Sequence, residues 1–211
     1  MSNYISNKHD NNSEKELMAH EYFKGGKLKE SEKIYRELIL DNNPKASSYY
    51  YLAILCGTKR LEEMIHFFLQ AININSNFFE ANLNLGNAYT LKKDLNNAIK
   101  FYQKAILINP ESSLALNNLG TAFKSLKKYK EAKDCYLKSI QFDPGFISAY
   151  NNLGNLFFQT CQYHDALINF KKYIDAKPSD YLGFFKIANV YITIADFSSA
   201  LKTCKKCIEL N

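Results

Sequence analysis

Apolar and small side chains recur along this chain at two linked spacings. When stretches of 34 residues are numbered from Phe79, Ser113, Ile147 and Tyr181, positions 4, 7, 8 and 11 form one cluster and positions 17, 20, 24 and 27 a second. Each cluster falls within about 100° on a 3.6-residue wheel, so each stretch predicts two amphipathic helices joined as a hairpin. The side chains keep the period. Position 7 is Leu85, Leu119, Leu153 and Ile187, position 8 is Gly86, Gly120 and Gly154, and position 11 is Tyr89, Phe123, Phe157 and Tyr191. Position 20 is Ala98, Ala132, Ala166 and Ala200, position 24 is Tyr102, Tyr136, Phe170 and Cys204, and Pro110, Pro144 and Pro178 close the units at position 32. Gly or Ala at 8 and Ala at 20 are expected to let two backbones approach, with rings at 11 and 24 beside them. The proline cannot continue a helical hydrogen-bond ladder and stops the second helix.

This pattern resembles the tetratricopeptide repeat, and the likeness spans residues 12–211. Six units are expected, at 12–45, 46–78, 79–112, 113–146, 147–180 and 181–211, after a disordered tail over 1–11. The first is carried by Ala19, Tyr22, Ser31, Tyr35 and Leu38, and the second by Tyr49, Leu52, Ala53, Met64, Phe68 and Ala71, with one residue fewer in its turn "CGTKR". One hairpin cannot bury its apolar face alone, so stacked units share a core. The resemblance implies an all-α, right-handed superhelix (an α-solenoid), with the first helix of each unit on the concave side. It also implies a non-catalytic protein–protein interaction scaffold. Where the family often has Gly at position 15, this chain has Lys93, Lys127, Cys161 and Ala195, so those turns are expected to be tight or strained.

Opposite the core positions, 2, 6, 9 and 13 of the first helix line the expected groove. The candidate peptide-binding residues are Asn84, Asn87, Asn118, Thr121, Asn152, Asn155, Gln159, Lys186 and Asn189. An amide side chain both donates and accepts, and so pairs with a peptide backbone whatever its side chains. Helices about 8–10 Å apart match three residues of an extended strand rising about 9.3 Å, so Asn84, Asn118 and Asn152 are expected to form rungs for an extended ligand. The alternative, that these asparagines only solvate the groove, stays open at this point. "NNLGN" is similar to the repeats of O-linked N-acetylglucosamine transferases, although Leu17, Tyr51 and Lys186 hold position 6 in the other units.

Composition narrows the function classes. No apolar run approaches the roughly 20 residues that span a bilayer, and the start has no apolar signal core, which points to the cytoplasm or nucleus. Five scattered cysteines form no disulfide framework and suggest buried, reduced thiols. The net charge of +6 is spread along the chain. "KSLKKYKEAK" (124–133) predicts a solvated basic ridge, and Tyr129 at a core position argues against nucleic-acid stacking. A chaperone-tail clamp would need lysines at position 5, where Leu83, Asn117, Asn151 and Phe185 stand. "CKKC" (204–207) places both cysteines at core positions rather than in a metal or redox site. Phe197, Leu201, Cys204 and Ile208 form a second candidate docking face, expected to be left uncovered where the chain ends. No catalytic, metal or cofactor motif is found, and His9, His20, His66 and His164 are isolated. The expected partner is a protein or peptide, with membership of a larger complex in view. Two alternatives remain: the substrate-recruiting region of a glycosyltransferase-like enzyme whose catalytic domain is elsewhere, or a structural subunit of a complex.

Overall fold

The computed structural model describes the backbone of residues 2–210 and side chains from residue 12 onward; residues 2–11, expected as part of a tail, are the first part of the helix Ser2–Lys24. Among the described residues the chain is all-α, with twelve helices, one 3-10 turn and no strand. It divides into two compact units, Met1–Ile108 and Asn109–Asn211. The first holds α1 (Ser2–Lys24), α2 (Leu28–Leu38), α3 (Ala46–Cys56), the 3-10 turn Thr58–Arg60, α4 (Leu61–Ile74), α5 (Phe79–Leu91) and α6 (Leu95–Ile108). The second holds α7 (Ser113–Ser125), α8 (Tyr129–Phe142), α9 (Ile147–Gln159), α10 (Tyr163–Ala176), α11 (Tyr181–Thr193) and α12 (Phe197–Leu210). Helices pair in chain order as hairpins, three in each unit.

The periodic side chains build the cores. Tyr35, Leu52, Phe68 and Leu85 are fully or almost fully buried in the first unit, and Tyr136, Leu153, Leu156 and Phe170 in the second. The glycine at position 8 makes room for a ring more than for a backbone. A methyl group on Gly86 would lie 2.5 Å from Tyr102 Cε1, on Gly120 2.8 Å from Tyr136 Cε1, and on Gly154 2.7 Å from Phe170 Cδ1. The last hairpin has Ala188 with the smaller Cys204 at the same two places. In the first two hairpins Ala19 and Ala53 coexist with Tyr35 and Phe68, so this close seat belongs to the three glycine-bearing hairpins.

The turns are strained as expected. Lys93, Lys127, Cys161 and Ala195 all adopt left-handed backbone conformation, at φ 64°, 59°, 60° and 60°. The cause is the closing geometry of the preceding helix, whose last carbonyls accept from the residues that follow: Asp94 N donates to Tyr89 O at 2.9 Å and Asp196 N to Tyr191 O at 2.9 Å. Only the first hairpin has the glycine suited to this place, Gly26 at φ 75°.

A four-member ion network ties the first hairpin to the second. Arg60 grips Glu32 through both carboxylate oxygens, at 2.6 and 2.8 Å, and Arg36 reaches Glu63 at 2.5 Å. The guanidinium partners hold both carboxyls below the usual carboxylate range, Arg60 being the main cause for Glu32 and Arg36 for Glu63.

Candidate functional site

The polar faces of the first helices do more than solvate a groove. In three of the hairpins position 6 donates to position 5 of the preceding hairpin: Asn84 Nδ2 to the Tyr50 hydroxyl at 3.2 Å, Asn152 Nδ2 to Asn117 Oδ1 at 2.9 Å, and Lys186 Nζ to Asn151 Oδ1 at 2.5 Å. Asn117 in turn donates to Asn118 Oδ1 at 3.4 Å. These bonds brace neighbouring hairpins. The sequence signal was available: each polar residue at 6 has a polar residue 34 or 35 places before it.

Position 9 divides by what stands at position 24. Tyr102 donates its hydroxyl to Asn87 Oδ1 at 2.9 Å, and the Tyr136 hydroxyl pairs with Thr121 Oγ1 at 3.2 Å. In the next two hairpins position 24 is Phe170 and Cys204, which lack a hydroxyl. The amides of Asn155 and Asn189 make no side-chain hydrogen bond among the described residues, and both are partly exposed. Asn152, with one N–H committed to Asn117, keeps its Oδ1 and second N–H. Gln159 is exposed and donates to the Tyr129 hydroxyl at 2.9 Å.

The face of α7, α9 and α11 is also more charged than the sequence suggested. Lys124, expected on the basic ridge, is half-buried, and burial lowers its pKa. Lys186 is lowered by burial and by the positive charge of Lys124, against a raising effect of Asp180. Its ammonium sits 5.5 Å from the centre of the Tyr173 ring. Tyr173 donates to Asp180, which pushes the phenol up to about 12 and holds the Asp180 carboxyl low. Lys186 shares α11 with Asn189, so a partly desolvated ammonium and an unengaged amide stand about one helical turn apart.

The other candidates also have places. Phe197, Leu201 and Ile208 are 68%, 61% and 77% exposed along one face of α12, with Cys204 beside them. Cys204 and Cys207 are only partly buried, not core residues as expected: Cys207 of α12 directs its thiol to Tyr181 O at the start of α11, 3.4 Å away. Cys161 is exposed and occupies a left-handed turn, whereas Cys56 and Cys135 are buried. The described residues contain no cluster of His, Cys, Asp or Glu able to hold a metal, and no helix long and apolar enough to cross a membrane.

Comparison with known proteins agrees with the fold. No curated protein sequence matches the chain. Among solved structures, a tetratricopeptide repeat protein from Parabacteroides merdae superposes with a TM-score of 0.80 at 18% identity, covering 95% of this chain and 80% of that one. The pilF protein of Pseudomonas aeruginosa gives 0.77 at 17% identity, covering 93% and 90%. YrrB, described as a tetratricopeptide repeat protein with an unusual peptide-binding site, gives 0.70 at 21% identity, covering 84% and 92%. Models of the tetratricopeptide repeat match residues 79–112, 113–146, 147–180 and 183–211. With more than half of its length matched in this way, the chain belongs to the tetratricopeptide repeat family.

Proposed function

We propose that the protein is a non-catalytic scaffold, working in a reducing compartment such as the cytoplasm or nucleus, that binds an extended peptide segment of a partner on the face formed by α7, α9 and α11. The observation that carries this reading is the pair of unengaged amides, Asn155 of α9 and Asn189 of α11, together with the half-buried Lys124 of α7 and Lys186 of α11. The amides pair with ligand backbone, and an acidic side chain or carboxyl terminus of the ligand takes the lysines. Asn84, Asn87, Asn118 and Thr121 brace the scaffold and contribute less to the ligand. At roughly 0.5–1.5 kcal/mol net per hydrogen bond, a few such contacts suit micromolar or weaker binding. YrrB is a structural neighbour with a peptide-binding site of its own, which supports the class of ligand.

Quantitative mass spectrometry of proteins captured from lysate tests the reading. Asn155→Ala/Asn189→Ala, with its helicity checked by circular dichroism, is expected to lose most captured proteins, and Lys186→Met the acidic subset. Capture unchanged by both variants would contradict it. The similarity of "NNLGN" to glycosyltransferase repeats favours a second reading, recruitment of substrates to a transferase located elsewhere. Glycosyltransferase activity co-purifying with the captured proteins would support it.

A further inference from the structure

A second surface of the Asn109–Asn211 unit lies on the other side of α11. On a helix of about 100° per residue, Phe184, Ile187 and Tyr191 point away from Lys186 and Asn189. They form, with Ile174 of α10, the apolar floor of an open trough of about 460 Å³ between α10 and α12. Its lips are basic on both sides, with Lys171 on α10 and Lys202, Lys205 and Lys206 on α12. Lys206 pairs with Glu209 at 3.1 Å, while Lys171, Lys202 and Lys205 have no ion-pair partner among the described residues.

One feature of the trough can be read from the sequence. Position 23 of successive hairpins is Ile34, Phe67, Phe101, Cys135, Asn169 and Thr203. In the third hairpin Phe101 stacks on Tyr89, the position-11 ring, with centroids 5.5 Å apart and planes 6° from parallel. Lys100 and Lys104 lie over the Phe101 ring, at 5.7 and 5.1 Å from its centre. In the last hairpin Tyr191 is the position-11 ring, but Thr203 is too small to cover it, and the Thr203 hydroxyl bonds to Ser199 O at 2.8 Å within its own helix. The lysines remain and the apolar filling is gone.

We propose that this trough docks an acidic amphipathic helix of a partner protein, with large apolar side chains on the floor and carboxylates along both lips. The α12 lip runs from Lys202 to Glu209, about two helical turns at 1.5 Å per residue, which fits an apolar stripe at i, i+3, i+4 and i+7. Three ammonium groups without partners, spread over both lips, call for several carboxylates. A single-headed lipid acid would satisfy only one.

The test uses the full chain and a fluorescein-labelled synthetic helix carrying Leu and Phe at i, i+3, i+4 and i+7 and Glu at the flanking positions. Fluorescence anisotropy at low salt gives its affinity. Thr203→Phe, which restores the Tyr89–Phe101 arrangement at Tyr191, and Lys202→Glu/Lys205→Glu are each expected to weaken binding at least tenfold. Asn155→Ala/Asn189→Ala leaves it unchanged, which separates this site from the peptide-binding face. The same helix with Lys in place of Glu does not bind. Absence of binding, equal binding of the Lys peptide, or full binding by the Lys202→Glu/Lys205→Glu variant would overturn the proposal. So would dodecanoate binding in the trough without peptide binding.

Discussion

Gly154→Ala probes the packing logic of the repeats. An added methyl would stand 2.7 Å from both Cδ1 and Cε1 of Phe170 and 3.2 Å from its Cγ, against an ordinary carbon–carbon contact of about 3.5–4.0 Å. Phe170 is 1% exposed, so its ring must retreat by about 1 Å into a filled core. Overpacking of this kind costs about 1–3 kcal/mol, while replacing a helical glycine by alanine returns roughly 0.5–1 kcal/mol. The net effect of the single change lies between near-neutral and about 2.5 kcal/mol destabilising. The coupling is more decisive. In a Phe170→Cys background, which copies the Ala188 and Cys204 pair of the last hairpin, the methyl meets no ring and Gly154→Ala should stabilise by the helix-propensity gain alone. A double-mutant cycle by urea denaturation, followed by circular dichroism and by hydrogen exchange of the α9 and α10 amides, should therefore give a coupling of at least about 1 kcal/mol. The same effect of Gly154→Ala in both backgrounds would refute the role given to the glycine.

Three further outcomes follow from the same geometry. Ala195→Gly relieves a left-handed residue at φ 60° and should stabilise the last hairpin by about 1 kcal/mol, seen as a higher urea midpoint; Ala195→Val should do the reverse. Glu32 and Glu63 have folded pKa values below their ordinary range, so their contribution is complete above the unfolded carboxylate pKa of about 4.3 and is lost as pH falls through the lowered folded values. The network is partly solvated, so Glu32→Gln should remove no more than about 1 kcal/mol at neutral pH and flatten the stability profile below that range. Limited alkylation read by mass spectrometry should modify exposed Cys161 first and spare Cys56 and Cys135, whose thiols burial pushes up to about 12 and about 11.

The fold was legible because its determinants are short-range and repeated. Leu85, Leu119 and Leu153 at one position and Ala98, Ala132 and Ala166 at another specify the same hairpin three times. The left-handed turns were legible for a related reason, since a position that favours glycine was filled by lysine, cysteine and alanine. The site was less so. Which asparagines are engaged depends on partners outside their own helix: Asn152 is braced by Asn117, and Asn155 is unengaged because Phe170 lacks the hydroxyl that Tyr102 offers Asn87. Lys124 belongs to a basic run in sequence, yet its place on α7 brings its charge to bear on Lys186 of α11. The trough beside Tyr191 is floored by a ring that Thr203 does not cover as Phe101 covers Tyr89, a comparison across hairpins that no single helix pattern contains.

The most direct test of peptide recognition by the α7, α9 and α11 face is selection of random displayed peptides on the full chain, followed by titration of the winning peptides, synthesised with a fluorophore, against wild type and Asn155→Ala/Asn189→Ala. The account predicts selected peptides that share an acidic residue, and a five- to 150-fold weaker affinity for the variant, on the order of two hydrogen bonds at about 0.5–1.5 kcal/mol each. Peptides that bind the variant as tightly as the wild type would place recognition on another surface and contradict the account.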